Sequence, residues 1–189
     1  SAKTAENLEI KKKNKWGIYA EETFNVPGRY VPLESSNLFK DNQKIYLAMY
    51  QDCVANRPAV INLKGDPLSG KTSMAVLLMK SIFKADMVSC CYYFSLLNAY
   101  KYDKKVLSTM LTETEFLCLD NVGCSEEDAN LIYSVLNRRV SQQLPTILVY
   151  DNGYKPESVY MKTPANLYIK ALLTKYRLWA TKYDENGGV

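Results

Sequence analysis

The sequence predicts an α/β domain with a central, mainly parallel five-stranded sheet flanked by helices. Three observations carry that prediction. Short apolar runs alternate with longer segments of helical period, the pattern of strands joined by crossover helices. The first of these runs, Ala59-Val60-Ile61-Asn62-Leu63, leads into Gly65-Asp66-Pro67-Leu68-Ser69-Gly70-Lys71-Thr72, a full match to G-x-x-x-x-G-K-[ST] with a helical pattern behind it. A later run, Phe116-Leu117-Cys118-Leu119, ends in Asp120, which sets an acid at the carboxyl edge of the sheet beside that loop.

Taken in order, residues 1 to 25 are polar and basic, with Lys11-Lys12-Lys13 and Lys15 close together, and read as a loosely held arm or a short helix. Pro27-Gly28 and Pro32 mark a loop. Residues 37–56 carry Ile45, Leu47, Met49, Tyr50, Cys53 and Val54 at helical spacing, closed by Pro58. Residues 59–63 form the first strand and residues 72–83 a helix rich in Met, Leu and Ile. Residues 87–94 read as a strand, 96–111 as a helix and 116–119 as a strand. At 125–140 a helix opens on Ser125, followed by Glu126, Glu127 and Asp128, a serine cap with acids that complement the helix dipole. Residues 146–150 read as a strand, 165–175 as a helix, and 177–183 as a last strand before a Gly-rich tail. Residues 1–40 are thus an arm and loop, a candidate partner-binding segment, and residues 41–189 hold the folded domain.

At 189 residues the chain fits one domain with a sizeable core. No apolar run approaches the roughly 18–20 residues of a membrane helix. The polar start carries no signal-peptide core, so the expected location is cytoplasmic. A net charge of +4 allows nucleic-acid contact without arguing strongly for it. The five cysteines lack C-x-x-C spacing and histidine is absent, which argues against a zinc site and removes every mechanism that needs an imidazole base. Cys90, Cys91 and Cys118 sit in apolar runs and read as small buried residues. The fifteen tyrosines fit a tyrosine-rich core and rim, or stacking surfaces for bases.

The loop Gly65–Thr72 with Ser73 behind it is a phosphate-binding loop. Gly65 and Gly70 let backbone N–H groups approach an anion, and the following helix points its positive end there. Lys71 would bridge the β- and γ-phosphates of ATP, and Thr72 would place its hydroxyl on Mg²⁺. Asp120 is the second expected magnesium-holding residue, acting through water. Asn121 follows it where many such proteins carry an acid. An amide can orient a water but cannot accept its proton, so the expectation is slow hydrolysis. At the end of the strand Thr146–Tyr150, Asn152 is the candidate to contact the γ-phosphate or the water; ahead of Gly153 it also reads as a turn residue. Lys101, Lys104 and Lys105, interleaved with Tyr100 and Tyr102, could meet phosphates and stack bases of single-stranded DNA, or form a solvated helix end.

These pieces together resemble the DnaC/DnaI-type replicative helicase loaders, a branch of the AAA+ (ASCE-type) P-loop NTPases, over residues 24–183. The matching segments are Phe24-Asn25-Val26-Pro27-Gly28-Arg29-Tyr30, the tyrosine-bearing helix at 42–56, Leu119-Asp120-Asn121-Val122-Gly123, and the block from Leu136 to Asn152. The last is the most discriminating. The resemblance implies an AAA+ ATPase domain at 41–189 that binds a replicative DNA helicase and single-stranded DNA under the control of ATP, and it allows a homo-oligomer. It departs from the family pattern at Asn121, in the small size of the 1–40 segment, and in a late helix where Leu172-Leu173-Thr174-Lys175-Tyr176-Arg177 replaces an Arg-rich stretch. The arginine that a neighbour would supply in trans is left to Arg138, Arg139 or Arg177, with Lys175 as a further weak candidate. The departures point to a compact phage or mobile-element relative. Two other readings remain: a nucleotide-gated protein that sequesters a helicase without hydrolysis, and a small superfamily 3-like viral helicase, whose P-T-I…N motif looks alike.

Overall fold

The computed structural model describes residues 2–123, 125–155 and 163–182; within 8–14 it describes the backbone alone. The elements are α1 (Ala2–Tyr19), α2 (Lys40–Asn56), β1 (Val60–Gly65), α3 (Lys71–Lys84), β2 (Cys91–Ser95), α4 (Lys104–Glu113), β3 (Phe116–Asp120), α5 (Glu126–Ser141), β4 (Thr146–Asp151), α6 (Pro164–Lys175) and β5 (Leu178–Ala180), with 3₁₀ turns at Gly28–Tyr30, Ser35–Asn37 and Leu96–Lys101. The Gly-rich tail expected at 186–188, and Cys124, lie outside the described residues.

The five strands are all parallel, in the order β2-β3-β4-β1-β5. Parallel strands need both faces covered, and the period-2 alternation of their side chains supplies two cores. Ile61, Leu63, Phe116, Cys118, Ile147 and Val149 point into the layer of α1, α2 and α3. Val60, Leu117, Leu119, Leu148 and Tyr150 point into the layer of α4, α5 and α6. Helix α3 runs beneath the sheet, and every residue from Met74 to Lys80 is buried.

Three elements differ from the sequence expectation. The strand expected over 87–94 begins only at Cys91, because Asp86 takes a left-handed φ of 56° after α3 and the N–H of Met87 bonds back to Ile82. The helix expected over 96–111 is broken. Ser95 caps a 3₁₀ turn, and Asp103 then caps α4 by accepting from the N–H groups of Lys105 and Val106. The amino-terminal segment is helical over Ala2–Tyr19 and is fastened to the core. Trp16 is buried, donates its indole N–H to the Val31 carbonyl at 2.9 Å, and lies with its ring centroid 6.0 Å from that of Phe83 on α3. The chain then runs along the open edge of β2, where the N–H of Tyr93 donates to Phe24 O (2.8 Å) and Asn25 Nδ2 donates to Tyr93 O (3.0 Å).

Candidate functional site

Strand β1 delivers the chain to Gly65 at the carboxyl edge of the sheet, and α3 begins at Lys71. A Cβ on Gly65 would lie 1.8 Å from Thr181 Oγ1, so only glycine fits there. Gly70 has φ +86° and turns the loop into the helix. Leu68 has a φ of 63°, a left-handed conformation that a branched side chain resists, and is 86% exposed. Beneath the loop, Ser69 is buried; its hydroxyl donates to Asp66 O at 2.7 Å and lies 2.6 Å from Thr181 Oγ1. The fully buried Asn42 of α2 donates to Ser69 O at 2.9 Å and accepts from the N–H of Lys182 at 2.8 Å. The loop is therefore held from below by side chains distant in sequence.

The functional atoms gather above it. The Lys71 ammonium donates to Asp66 O at 2.7 Å and pairs with Asp151 Oδ1 at 2.8 Å. Thr72 Oγ1 donates to Asp120 Oδ2 at 2.8 Å. Asp120 is buried; its Oδ1 accepts the N–H of Asn121 at 2.8 Å, and its Oδ2 also accepts the hydroxyl of Tyr93 at 2.5 Å. Burial first, and then the neighbouring Asp120, push the Tyr93 hydroxyl above its ordinary pKa, so Tyr93 is the donor of that bond. Asn121 has φ 56°, tolerable for asparagine, and its amide donates to Ser95 Oγ at 2.8 Å. Ser95 sits opposite Asp120 in the β2–β3 register.

A cleft of about 510 Å³ opens on these groups. Gly70, Lys71, Thr72, Ser73, Asp120 and Asp151 line one part of it, and Tyr30, Leu38 and Phe39 line another, with the Arg29 guanidinium 4.7 Å over the Tyr30 ring. The cleft offers polar groups suited to an anion chain and ring faces suited to a flat ring. A hydroxyl and a buried carboxylate suit Mg²⁺, which takes hard oxygen ligands and keeps several of its waters. Thr72 and Asp120 could hold it. No cluster of three acidic or cysteine side chains able to bind metal occurs among the described residues, so a phosphate ligand would complete the shell.

The other sequence candidates fall as follows. Asn152 is at the mouth, but its amide donates to Asp66 Oδ1 at 2.8 Å, and the group reaching Lys71 is Asp151. Lys101, Lys104 and Lys105 are exposed around Tyr100, which is 82% exposed. Lys104 shares a groove with Glu127 and Asp128 of α5. Arg138 is exposed; Arg177 is exposed and stacks on Trp179 at 3.9 Å. Lys175 lies 5.5 Å over the Tyr176 ring. Arg139 corrects the sequence reading, because it cannot reach a neighbouring subunit or DNA. It is 0% exposed and spends its guanidinium on Thr146 Oγ1 and on the carbonyls of Leu111, Thr112, Thr114, Glu115 and Pro145. The sequence reading missed Asn42, Tyr93, Ser95 and Thr181 as supports of the site. No local spacing marks them, since each meets its partner across the fold.

Solved structures with this architecture include replication proteins. The DnaC helicase loader matches with a TM-score of 0.61 at 20% identity, over 82% of this chain and 100% of that one. DnaI matches with a TM-score of 0.64 at 13% identity, over 84% and 93%. The chain shares its fold with these two proteins. The replication initiator DnaA bound to AMPPCP and single-stranded DNA matches with a TM-score of 0.59 at 13% identity, over 84% of this chain and 51% of that one. No protein-family model and no curated protein sequence matches the chain. At such identities the likeness speaks for the fold, and the site's chemistry rests on its own residues.

Proposed function

We propose that the chain binds ATP with Mg²⁺ in this cleft and acts in DNA replication as a loader that engages a replicative hexameric helicase and single-stranded DNA. The observation that carries the reading is the convergence of Lys71, Thr72 and Asp120 at the mouth of one strand–loop–helix unit. Loop amides and the α3 amino terminus would grip the phosphates. Lys71 would leave Asp151 for the β- and γ-phosphates, and Thr72 with Asp120 would hold the metal. The neighbours add support: one is a helicase loader, and another is an initiator bound to an ATP analogue and single-stranded DNA. Lys101, Lys104 and Lys105 with Tyr100 form the DNA-contacting surface of this reading. Residues 1–40 form its partner-binding segment, and Arg138 or Arg177 could serve a neighbour in a homo-oligomer. Among the described residues no helix is long and apolar enough to cross a membrane; the reading places the protein in the cytoplasm.

A second reading is favoured by Asn121. Its side chain is an amide tied to Ser95, so the position offers no proton acceptor for an attacking water. Turnover is then slow, and nucleotide acts chiefly as a gate for helicase binding, including sequestration without loading. Co-purification with a hexameric helicase, with and without Mg-ATP, tests the proposal. Expected is nucleotide-dependent capture that Lys71→Ala abolishes. Absence of any Mg-ATP thermal shift in the parent, with Lys71→Ala indistinguishable from it, rejects the nucleotide site. Capture followed by DNA unwinding in the helicase's own assay separates loading from sequestration.

A further inference from the structure

We infer that Tyr93 is a positioning residue for the magnesium-holding carboxylate, an assignment that rests on the nucleotide-binding reading above. Asp120 projects from the last position of β3 into a buried setting. A carboxylate there rotates about a soft terminal torsion unless its oxygens are tied. Three donors tie this one. The N–H of Asn121 holds Oδ1, while Thr72 and Tyr93 both hold Oδ2. An ionised carboxylate offers about four lone-pair sites, so three donors leave about one for a metal-bound water. Thr72 can keep its proton on Asp120 while its own lone pair turns to the metal. The Asn121 amide is main chain and moves only with the strand end. Among the described residues the Tyr93 hydroxyl is thus the one side-chain donor that restrains Asp120 and has no further task at the loop.

The ring behind that hydroxyl is firmly placed. Tyr93 is buried on β2, paired in register with Cys118 of β3. Its main-chain N–H and C=O, on the outer side of the strand, are both taken by Phe24 and Asn25. The amino-terminal segment is therefore fixed to the residue that aims the metal-binding carboxylate. Partners that orient a metal-binding group are typically worth about 10–100-fold in metal affinity.

The test is Tyr93→Phe in the full chain, which removes one oxygen and leaves the ring that packs the core. Binding of a fluorescent ATP analogue is titrated with Mg²⁺ and repeated in EDTA. Expected is an Mg²⁺ midpoint raised about 10-fold, with the metal-free nucleotide affinity unchanged. As a second variant, Asn25→Gly keeps the left-handed backbone while removing the amide from Tyr93 O; it is expected to shift the midpoint in the same direction by a smaller factor. An unchanged midpoint in Tyr93→Phe overturns the inference, and so does an equal loss in Mg²⁺ and in EDTA, the mark of a merely structural role. A parent protein that binds no nucleotide at all overturns the nucleotide-binding reading itself, and this inference with it.

Discussion

Replacing Arg139 with alanine is expected to destabilise the fold strongly while leaving no specific catalytic signature. The side chain is wholly buried, and among the described residues no carboxylate forms an ion pair with it. Burial lowers its pKa to about 10, so it stays cationic at neutral pH. The charge is solvated by neutral acceptors placed around it. Nη1 donates to Thr114 O at 2.5 Å and to Leu111 O at 3.2 Å, Nη2 donates to Pro145 O at 2.9 Å, and Nε donates to Thr146 Oγ1 at 2.7 Å. Leu111 and Thr112 belong to the last turn of α4, whose carbonyls have no helical partner of their own. One guanidinium therefore closes a helix end and ties it to the start of β4. Each stranded buried acceptor costs about 1–3 kcal/mol, less whatever water entering the void recovers. A loss of ~4 kcal/mol is a conservative total, large against a typical stability of about 5–15 kcal/mol. Urea unfolding followed by far-UV circular dichroism should show a midpoint lower by ~2 M, taking m as about 2 kcal/mol/M. Arg138→Ala, its exposed neighbour, should stay within ~0.5 kcal/mol of the parent. Should Arg139→Ala unfold within ~0.3 M of the parent midpoint, the carbonyl-clamp account is wrong.

Asp151→Asn removes the carboxylate that holds Lys71. Because Asp151 is 62% exposed, the pair is worth at most ~1 kcal/mol, and Mg-ATP affinity by calorimetric titration should rise about 2–5-fold. A weaker affinity would mean that Asp151 helps to hold the nucleotide. Leu68→Gly relieves the left-handed strain at an exposed site and should raise the melting temperature by ~2–4 °C, for a gain of about 1 kcal/mol; a fall would show that the Leu68 side chain is packed in solution. Burial pushes the Cys53 thiol up to about 12 and raises the Cys91 and Cys118 thiols well above the ordinary range, so iodoacetamide at pH 8 should spare all three in the folded protein and label them in urea, as read by mass spectrometry. Replacing Lys101, Lys104 and Lys105 together with alanine should weaken single-strand binding and flatten its salt dependence. Unchanged affinity in a fluorescence-anisotropy titration removes this segment from the DNA surface.

The strand–loop–helix unit around Gly65–Thr72 was legible because its pattern is written in adjacent residues. Asp120 was legible because a buried strand ending in an acid has few other meanings in that position. The register of Asp151 against Asn152 was not legible, since both lie at the strand end and the choice depends on how β4 meets Gly65. Arg139 misled for a related reason. An Arg-Arg pair in the last turn of a helix looks like a surface charge, and its six acceptors lie between 6 and 28 residues away. The break in the helix expected at 96–111 was visible in principle. Asp103 is a good cap, but the apolar period running past it masked the signal. The support from Asn42, Tyr93 and Thr181 carries no pattern at all, because hydrogen bonds across a sheet edge or between layers impose no spacing on the chain.

The bond from Lys182 to Asn42 spans 140 residues of sequence, and Asn42 in turn grips Ser69 of the phosphate-binding loop. That arrangement orders events during synthesis. While the polypeptide is growing from its amino terminus, β1 and α3 emerge long before the segment that completes the underside of the loop. A ribosome-bound fragment stopping short of Thr181 therefore lacks the brace, and the loop gains its full support only once translation has passed that point.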